Sequence, residues 1–288
     1  MKNWKIGDAL KWATSFLLDS GVESARVDSE ILLQRILDAD KGKVLSNADE
    51  VIKDNHAAVY QEMVRKRSEG VPTAYLVGTR EFMSLEFVVN SNVLIPRPET
   101  EFLVEEALDF LKKKGTNSPA VLDIGTGSGA IGIALAFYYP GTRVWATDIS
   151  ERALEVARIN AENIGVSSFL KFCQGDLFSA LPGGLKFDCI LSNPPYISGE
   201  ELKNLDETVR DFEPEVALVA PDESISFHKR IINEAPGFMK KGALLGMEMG
   251  IGQEAQVKIL LQEAGCYNNI NMIKDLSGIF RVITAEFN

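Results

Sequence analysis

The chain has only two histidines, His56 and His228, and three widely spaced cysteines, Cys173, Cys189 and Cys266. No pair has zinc-ligand spacing, so no structural metal is expected. Cys173 and Cys189 fall in strand-like apolar runs, where a small buried thiol fits. With no disulfide framework, the reading is a reducing cytoplasm. No apolar run approaches the ~20 residues of a membrane helix. The opening Met1-Lys2-Asn3-Trp4-Lys5-Ile6-Gly7-Asp8 carries no signal-peptide core. Net positive charge is missing too: the formal charge is −11. General attraction to nucleic acid runs on phosphate neutralisation by Lys and Arg, so composition argues against a direct nucleic-acid partner. What is present is a chain of 288 residues that is 45% hydrophobic, enough for two domains and too apolar for disorder. There is no internal repeat and no low-complexity tract.

The first seventy residues carry a helical pattern. Ile6, Leu10, Ala13, Phe16 and Leu17 recur near the helical period and Gly21 ends the run. Val27, Ile31 and Ile36-Leu37 mark a second helix; Ala57, Tyr60 and Val64 mark a third, closed by Gly70. Residues 1–74 therefore form a small helical domain, with Trp4 and Trp12 read as its packing. Between 75 and 95, Phe82, Leu85, Phe87, Val89 and Val93 are β-formers and Asn90-Ser91-Asn92 is a turn signal. This predicts a hairpin linker. Pro96-Arg97-Pro98 then stiffens the start of a helix near Glu99.

From Ala120 strands and helices alternate. Ala120–Ile124, Arg143–Thr147, Phe169–Cys173, Phe187–Ser192 and Ala243–Met249 are strand candidates. Gly129–Tyr139, Glu151–Ile164, His228–Phe238 and Gln253–Ala264 are helix candidates. Such alternation predicts an α/β, doubly wound, mostly parallel sheet covered on both faces. Asn269–Ile273 and Ile279–Glu286 close it as an antiparallel pair, giving seven strands over residues 96–288.

Gly125-Thr126-Gly127-Ser128-Gly129 runs from the first of these strands into a helix. Glycines let backbone approach a ligand closely, and such a loop is where nucleotide-like cofactors bind. Gly127 to Gly132 fits G-x-G-x-x-G, so a dinucleotide is a legitimate reading. Asp148, ending the second strand, is placed to grip ribose hydroxyls in either cofactor; its competing reading is a helix N-cap, a role Ser150 can fill instead. Two features favour S-adenosylmethionine. Asp123 at the strand end would oppose a pyrophosphate and tolerate a cationic methionine end. Asp176, with Leu177 beside it after the third strand, could accept from an adenine amino group.

Asn193-Pro194-Pro195-Tyr196 follows the apolar run Phe187–Ser192. Prolines fix φ and leave carbonyls as acceptors. A side-chain amide, carbonyls and an aromatic ring at a strand end suit a flat –NH2 group. Asn193, Pro194, Pro195 and Tyr196 are the candidate substrate-binding residues. Asn193, Pro194 and Tyr196 are the candidate catalytic ones, with Asn193 also near the methionine end.

Together the glycine loop and the Asn-Pro-Pro-Tyr turn resemble class I S-adenosylmethionine-dependent methyltransferases acting on planar nitrogens. The closer resemblance is to the N5-glutamine methyltransferases of peptide chain release factors. It is carried by residues 75–105, YLVGTREFMSLEFVVNSNVLIPRPETEFLVE, by Phe212–Leu218 and by Lys274–Arg281. Met83-Ser84, Pro221–Ser224 and Met239-Lys240-Lys241-Gly242, which stands where the family has a Leu-x-Pro-Gly-Gly turn, depart from the family pattern. The resemblance implies that S-adenosylmethionine is the cofactor, the acceptor is the glutamine of the release-factor Gly-Gly-Gln motif, and the helical domain helps hold the protein substrate. A flat –NH2 is also what an N6-adenine DNA or RNA methyltransferase or a ribosomal-protein glutamine methyltransferase would bind. Against the nucleic-acid alternative, residues 1–90 carry 12 basic and 14 acidic residues, so they are no basic clamp. Arg97 and Glu99 read either as lining the cofactor entrance or as a salt-bridge partner and a helix-start carboxylate. Glu213 and Glu215, flanking Pro214, read as solvated loop charges ahead of substrate contacts, and His228 as a surface or cap residue.

Overall fold

A computed structural model describes residues 4–288, so the Met1-Lys2-Asn3 part of the N-terminal reading lies outside the described residues. Helices α1 (Ile6–Asp19), α2 (Ala25–Leu37), α3 (Lys41–Ser46), α4 (Asp54–Ser68) and α5 (Thr73–Val77) come first. Then follow β1 (Thr79–Phe82), β2 (Leu85–Val88), α6 (Pro98–Lys114), β3 (Ala120–Ile124), α7 (Ala130–Tyr138), β4 (Arg143–Asp148), α8 (Glu151–Ile164), β5 (Leu170–Gln174) and β6 (Phe187–Ser192). The short α9 (Glu207–Arg210) and α10 (Glu215–Leu218) precede α11 (Ser226–Glu234), β7 (Met239–Glu248), α12 (Glu254–Glu263), β8 (Tyr267–Lys274) and β9 (Phe280–Phe287). No helix among the described residues is long and apolar enough to cross a membrane. Two compact units result. One runs through Thr79 and adds Asp206–Phe212; the other spans Arg80–Leu205 and Glu213–Asn288.

In the helical unit, Ile6, Ala9, Ala13 and Leu17 form the buried stripe of α1, and Leu32, Leu33, Tyr60 and Val64 pack with them. In the second helix Ile36 and Leu37 pack against this core, but Val27 and Ile31 do not. Val27 is 53% exposed and Ile31 38%, because burying Leu32 and Leu33 turns those two outward. Two polar contacts brace this core: the Tyr60 hydroxyl donates to the Ser29 carbonyl at 2.9 Å, and Arg67 meets Asp28 at 2.8 Å.

In the larger unit the seven-stranded sheet has the order β5-β4-β3-β6-β7-β9-β8, with β9 antiparallel to both neighbours. Side chains alternate between two cores, as a strand's period of two requires. Val121, Cys189 and Leu191 face one core with Leu103 of α6 and Ile133 of α7. Leu122 and Ile190 face the other with Ile231 of α11 and Leu261 of α12, and Phe187 joins them because the register shifts between Phe187 and Cys189. The chain winds outward in both directions from the β3/β6 pair, so the crevice at their carboxyl ends is the switch point where such sheets bind ligands.

Four local expectations are corrected. The hairpin turns at Met83-Ser84, both left-handed (φ 50° and 55°), the two-residue geometry that matches strand twist; Asn90-Ser91-Asn92 follows the hairpin instead. Phe82 and Phe87 are buried in the larger unit's core, so the hairpin is part of that core. Met239–Gly242 begins β7 rather than making a turn. His228 is fully buried, its Nε2 2.7 Å from the Glu248 carbonyl; burial pushes it down to about 4.

Candidate active site

Strands β3 and β6 pair in register up to Ile124 and Ser192. The Ser192 hydroxyl donates to the Ile124 carbonyl at 2.8 Å, tying the two strand ends where the glycine loop and the Asn-Pro-Pro-Tyr loop leave the sheet.

The glycine loop is held from below. Gly125 and Thr126 N–H groups donate to the Thr147 carbonyl at 2.8 and 2.9 Å. Gly129 has φ 85°, and a Cβ there would lie 2.5 Å from Ile133 Cδ1, so the loop-to-helix corner needs glycine. Asn160, a buried residue of α8, donates to the Ser128 carbonyl at 2.8 Å and accepts from Val88 N–H at 2.7 Å. Asp148 accepts from Gly127 N–H and Ser150 N–H, each at 2.9 Å. Ser150 caps α8 by accepting from Ala153 N–H. Burial, more than any neighbour, raises the Asp148 carboxyl above its ordinary value.

The second loop is held by side chains. Asn193 Nδ2 donates to Thr100 Oγ1 at 3.1 Å, Thr100 donates to Glu248 at 2.5 Å, and the Tyr196 hydroxyl donates to Glu248 at 3.2 Å. Gln253 donates to the Tyr196 carbonyl at 2.9 Å.

One cavity joins the loops. Gly125, Thr126, Gly127, Ser128, Asp148, Asp176, Leu177, Asn193, Pro194 and Pro195 line it, with Ile149, Val216 and Phe227 as further apolar wall. Gly129 and Tyr196 stand outside the lining: the first turns the corner behind the loop, and the second reaches Glu248. The two carboxylates that argued for S-adenosylmethionine over a dinucleotide also sit differently. Asp123 does not line the cavity. It is fully buried beneath the loop, accepting from Thr126 at 2.6 Å and Gly132 N–H at 3.0 Å, and burial pushes its carboxyl up to about 6. Asp176 lines the cavity, but both its oxygens meet Arg230, at 3.1 and 2.7 Å. Glu213 is not a solvated charge: it is 5% exposed and pairs with Arg97 at 2.7 Å while accepting from Ile95 N–H.

Comparison with known proteins decides the family. The model of the PrmC N-terminal domain matches residues 8–78, and that of the Methyltransferase small domain matches residues 99–211. A release factor glutamine methyltransferase of Rhodopirellula baltica is 41% identical over 285 residues, covering 98% of this chain and 96% of the relative. One of Bacillus subtilis is 39% identical, covering 97% of each. The chain belongs to the release factor glutamine methyltransferase family. Solved structures agree on the fold. The hMettl16 catalytic domain in complex with a MAT2A 3'UTR hairpin superposes with a TM-score of 0.58 at 18% identity, over 83% of this chain and 85% of that one.

Within this methyltransferase, the residues that the sequence did not single out are Thr100, Asn160 and Glu248. Thr100 lies inside the quoted IPRPETE lead-in, and Glu248 is a carboxylate ending an apolar strand. A buried acid at a strand's carboxyl end was the available signal. Among the described residues no group of His, Cys, Asp and Glu is arranged to hold a metal ion.

Proposed function

We propose that the chain transfers a methyl group from S-adenosylmethionine to the side-chain amide nitrogen of the glutamine in the Gly-Gly-Gln motif of peptide chain release factors, in the cytoplasm. The observation that carries this is a single cavity lined by both Asp148 and Asn193. It puts a carboxylate suited to hydroxyls, at the end of β4, and an amide suited to a flat –NH2, just after β6, on either side of β3.

The residues present fit the cofactor. Thr147 Oγ1 beneath the loop is buried without a partner. Asp148 keeps lone pairs beyond its two backbone bonds, matched to a ribose diol. Ile149, Leu177 and Phe227 supply apolar wall for a purine. Gly125–Ser128 would hold the methionine end. When bound, S-adenosylmethionine supplies an electrophilic methyl on a sulfonium.

An amide nitrogen is a weak nucleophile because its lone pair is shared with the carbonyl. The Asn193 oxygen and the Pro194 carbonyl would accept its two N–H bonds, aim the lone pair and stabilise positive charge growing on nitrogen. Pro194 and Pro195 keep those acceptors stiff. The Tyr196 ring backs the loop and keeps water from its rear. No strong base is needed before attack, since the methylated nitrogen is acidic enough to lose its proton afterwards.

The test is incubation with labelled S-adenosylmethionine and a purified release factor, with the modified residue mapped by mass spectrometry. Label on the Gly-Gly-Gln glutamine is the expected result. Label confined to nucleic acid or to a ribosomal protein in parallel reactions would refute the reading.

A further inference from the structure

Beside Asn193 in the cavity wall stands Thr100, and behind it Glu248, two polar groups that the reading above leaves without a task. Glu248, at the end of β7, is 1% exposed, and Thr100, in the first turn of α6, is 4% exposed. Thr100 Oγ1 lies 2.5 Å from Glu248 Oε2 and 3.1 Å from Asn193 Nδ2. A hydroxyl has one proton to give, and an ionised carboxylate can only accept. The Thr100 proton therefore goes to Glu248, and the Thr100 oxygen is left to accept from Asn193. Its partner must then be the Asn193 –NH2. That leaves Oδ1 as the free acceptor on a side chain that lines the cavity.

A side-chain amide is nearly symmetric in shape, so only its hydrogen bonds decide which end points where. With the amide reversed, Asn193 would offer donors to an acceptor group that itself brings N–H donors. From this donor order we infer that Glu248, acting through Thr100, is the positioning group that holds Asn193 with its oxygen toward the substrate amide. The geometry stands by itself; the catalytic consequence rests on the methyl-transfer reading above.

The order depends on the charge of Glu248. The groups facing it are Tyr196 from the loop after β6, Glu99 from α6, Arg281 from β9 and His228 from α11, the last at its backbone carbonyl. Burial, as the main cause, pushes the Glu248 carboxyl up to about 7, with Glu99 adding to the rise and Thr100, Tyr196 and Arg281 opposing it. Once protonated, the carboxyl becomes a donor to Thr100. Thr100 then donates onward, and Asn193 turns its oxygen inward.

Two measurements on the full-length protein test this. In 15N-labelled protein, the Asn193 –NH2 pair is assigned by its loss in Asn193→Ala. It should move in Thr100→Val, keep its position in Thr100→Ser, and titrate near pH 7 in the unaltered protein but not in Glu248→Gln. This readout needs no methyl acceptor, so it stands or falls separately from the release-factor assignment. In turnover, Thr100→Val should lose about 10–100-fold in kcat, the range typical when the partner orienting a contact group is removed. KM for the release factor should change less, and Thr100→Ser should recover most of the rate. An Asn193 pair unmoved in Thr100→Val overturns the inference, as does a titration that persists in Glu248→Gln or a Thr100→Val kcat within about twofold of normal. If the unaltered protein modifies no release factor, the function reading falls while the resonance result still decides the positioning.

Discussion

The loop after β3 is held through backbone, with N–H groups of Gly125, Thr126 and Gly127 tied to Thr147 and Asp148 and a left-handed corner at Gly129. The loop after β6 is held through side chains, with Asn193, Thr100, Glu248 and Tyr196 in one hydrogen-bonded row. A backbone-built loop presents much the same surface whichever small side chains it carries, which suits a constant cofactor. A side-chain-built loop presents one orientation that depends on charge, which suits an acceptor that must be aimed. Substitutions in the first should therefore act on cofactor binding, and those in the second on turnover.

The largest expected effect is in the second loop. Asn193→Ala should lower kcat by about 10²–10³, the usual cost of losing a placed polar stabiliser, while S-adenosylmethionine affinity by calorimetry changes little. Near-normal kcat at saturating cofactor would erase the distinction between the loops. Next comes Asp148→Ala in the first loop. It removes the acceptor proposed for the ribose and frees the Gly127 and Ser150 N–H groups. Cofactor binding should weaken by roughly 1.5–3 kcal/mol, with kcat preserved once cofactor saturates. A large kcat loss with unchanged affinity would reverse the assignment of the two loops.

Charge sets a third contrast. Glu248 has a folded value of about 7, above its ordinary 4.5, so the folded protein binds the extra proton in that window. Its contribution to stability is complete below 4.5 and is lost as pH rises through 7. Asp123, at about 6, acts in the same direction. His228, at about 4, acts oppositely, losing its contribution as pH falls through 4. Glu248→Gln should therefore fall less in stability than the unaltered chain between pH 5 and 8, by on the order of 1–3 kcal/mol. Denaturant unfolding at both pH values measures the difference; equal slopes would mean that the row is not held by an ionising carboxyl.

Much of this was legible in the sequence where local pattern carries the information. β3 and β6 have the bounds their apolar runs gave, since a strand buried on both faces is mostly apolar, with Asp123, Asp188 and Ser192 as the buried polar exceptions. α8 spans the expected Glu151–Ile164, with Ser150 as its cap. What stayed hidden depends on contacts between distant residues. Thr100 and Glu248 are 148 residues apart, and neither looks unusual among its neighbours. Glu213 reads as a loop charge until Arg97 is found against it. In α2, Ile36 and Leu37 pack against the core as marked, while Leu32 and Leu33, which the pattern did not single out, make the buried contacts that Val27 and Ile31 do not. At the hairpin, Asn90-Ser91-Asn92 carries the stronger turn chemistry, and Met83-Ser84 takes the left-handed turn because Phe82 and Phe87 must both reach the core.

The smallest expected effect separates the ring of Tyr196 from its hydroxyl. The ring packs where a Cβ on Gly250 would come within 3.0 Å of it, so Tyr196→Phe keeps the packing. The hydroxyl is one of two side-chain donors holding Glu248 ionised, at 3.2 Å the longer of them. Removing it leaves a buried carboxylate with one fewer donor, which raises its protonation midpoint further. At alkaline pH, where Glu248 is ionised in both proteins and still accepts from Thr100, the Asn193 amide keeps its orientation and kcat should fall by only about threefold or less. Near neutrality the loss should be larger, because more of the variant carries the protonated carboxyl and the reversed Asn193 amide. The pH–kcat profile of Tyr196→Phe should thus keep its plateau and shift its acid limb upward. A uniform loss at every pH would instead place the hydroxyl on the substrate, outside the row that holds Asn193.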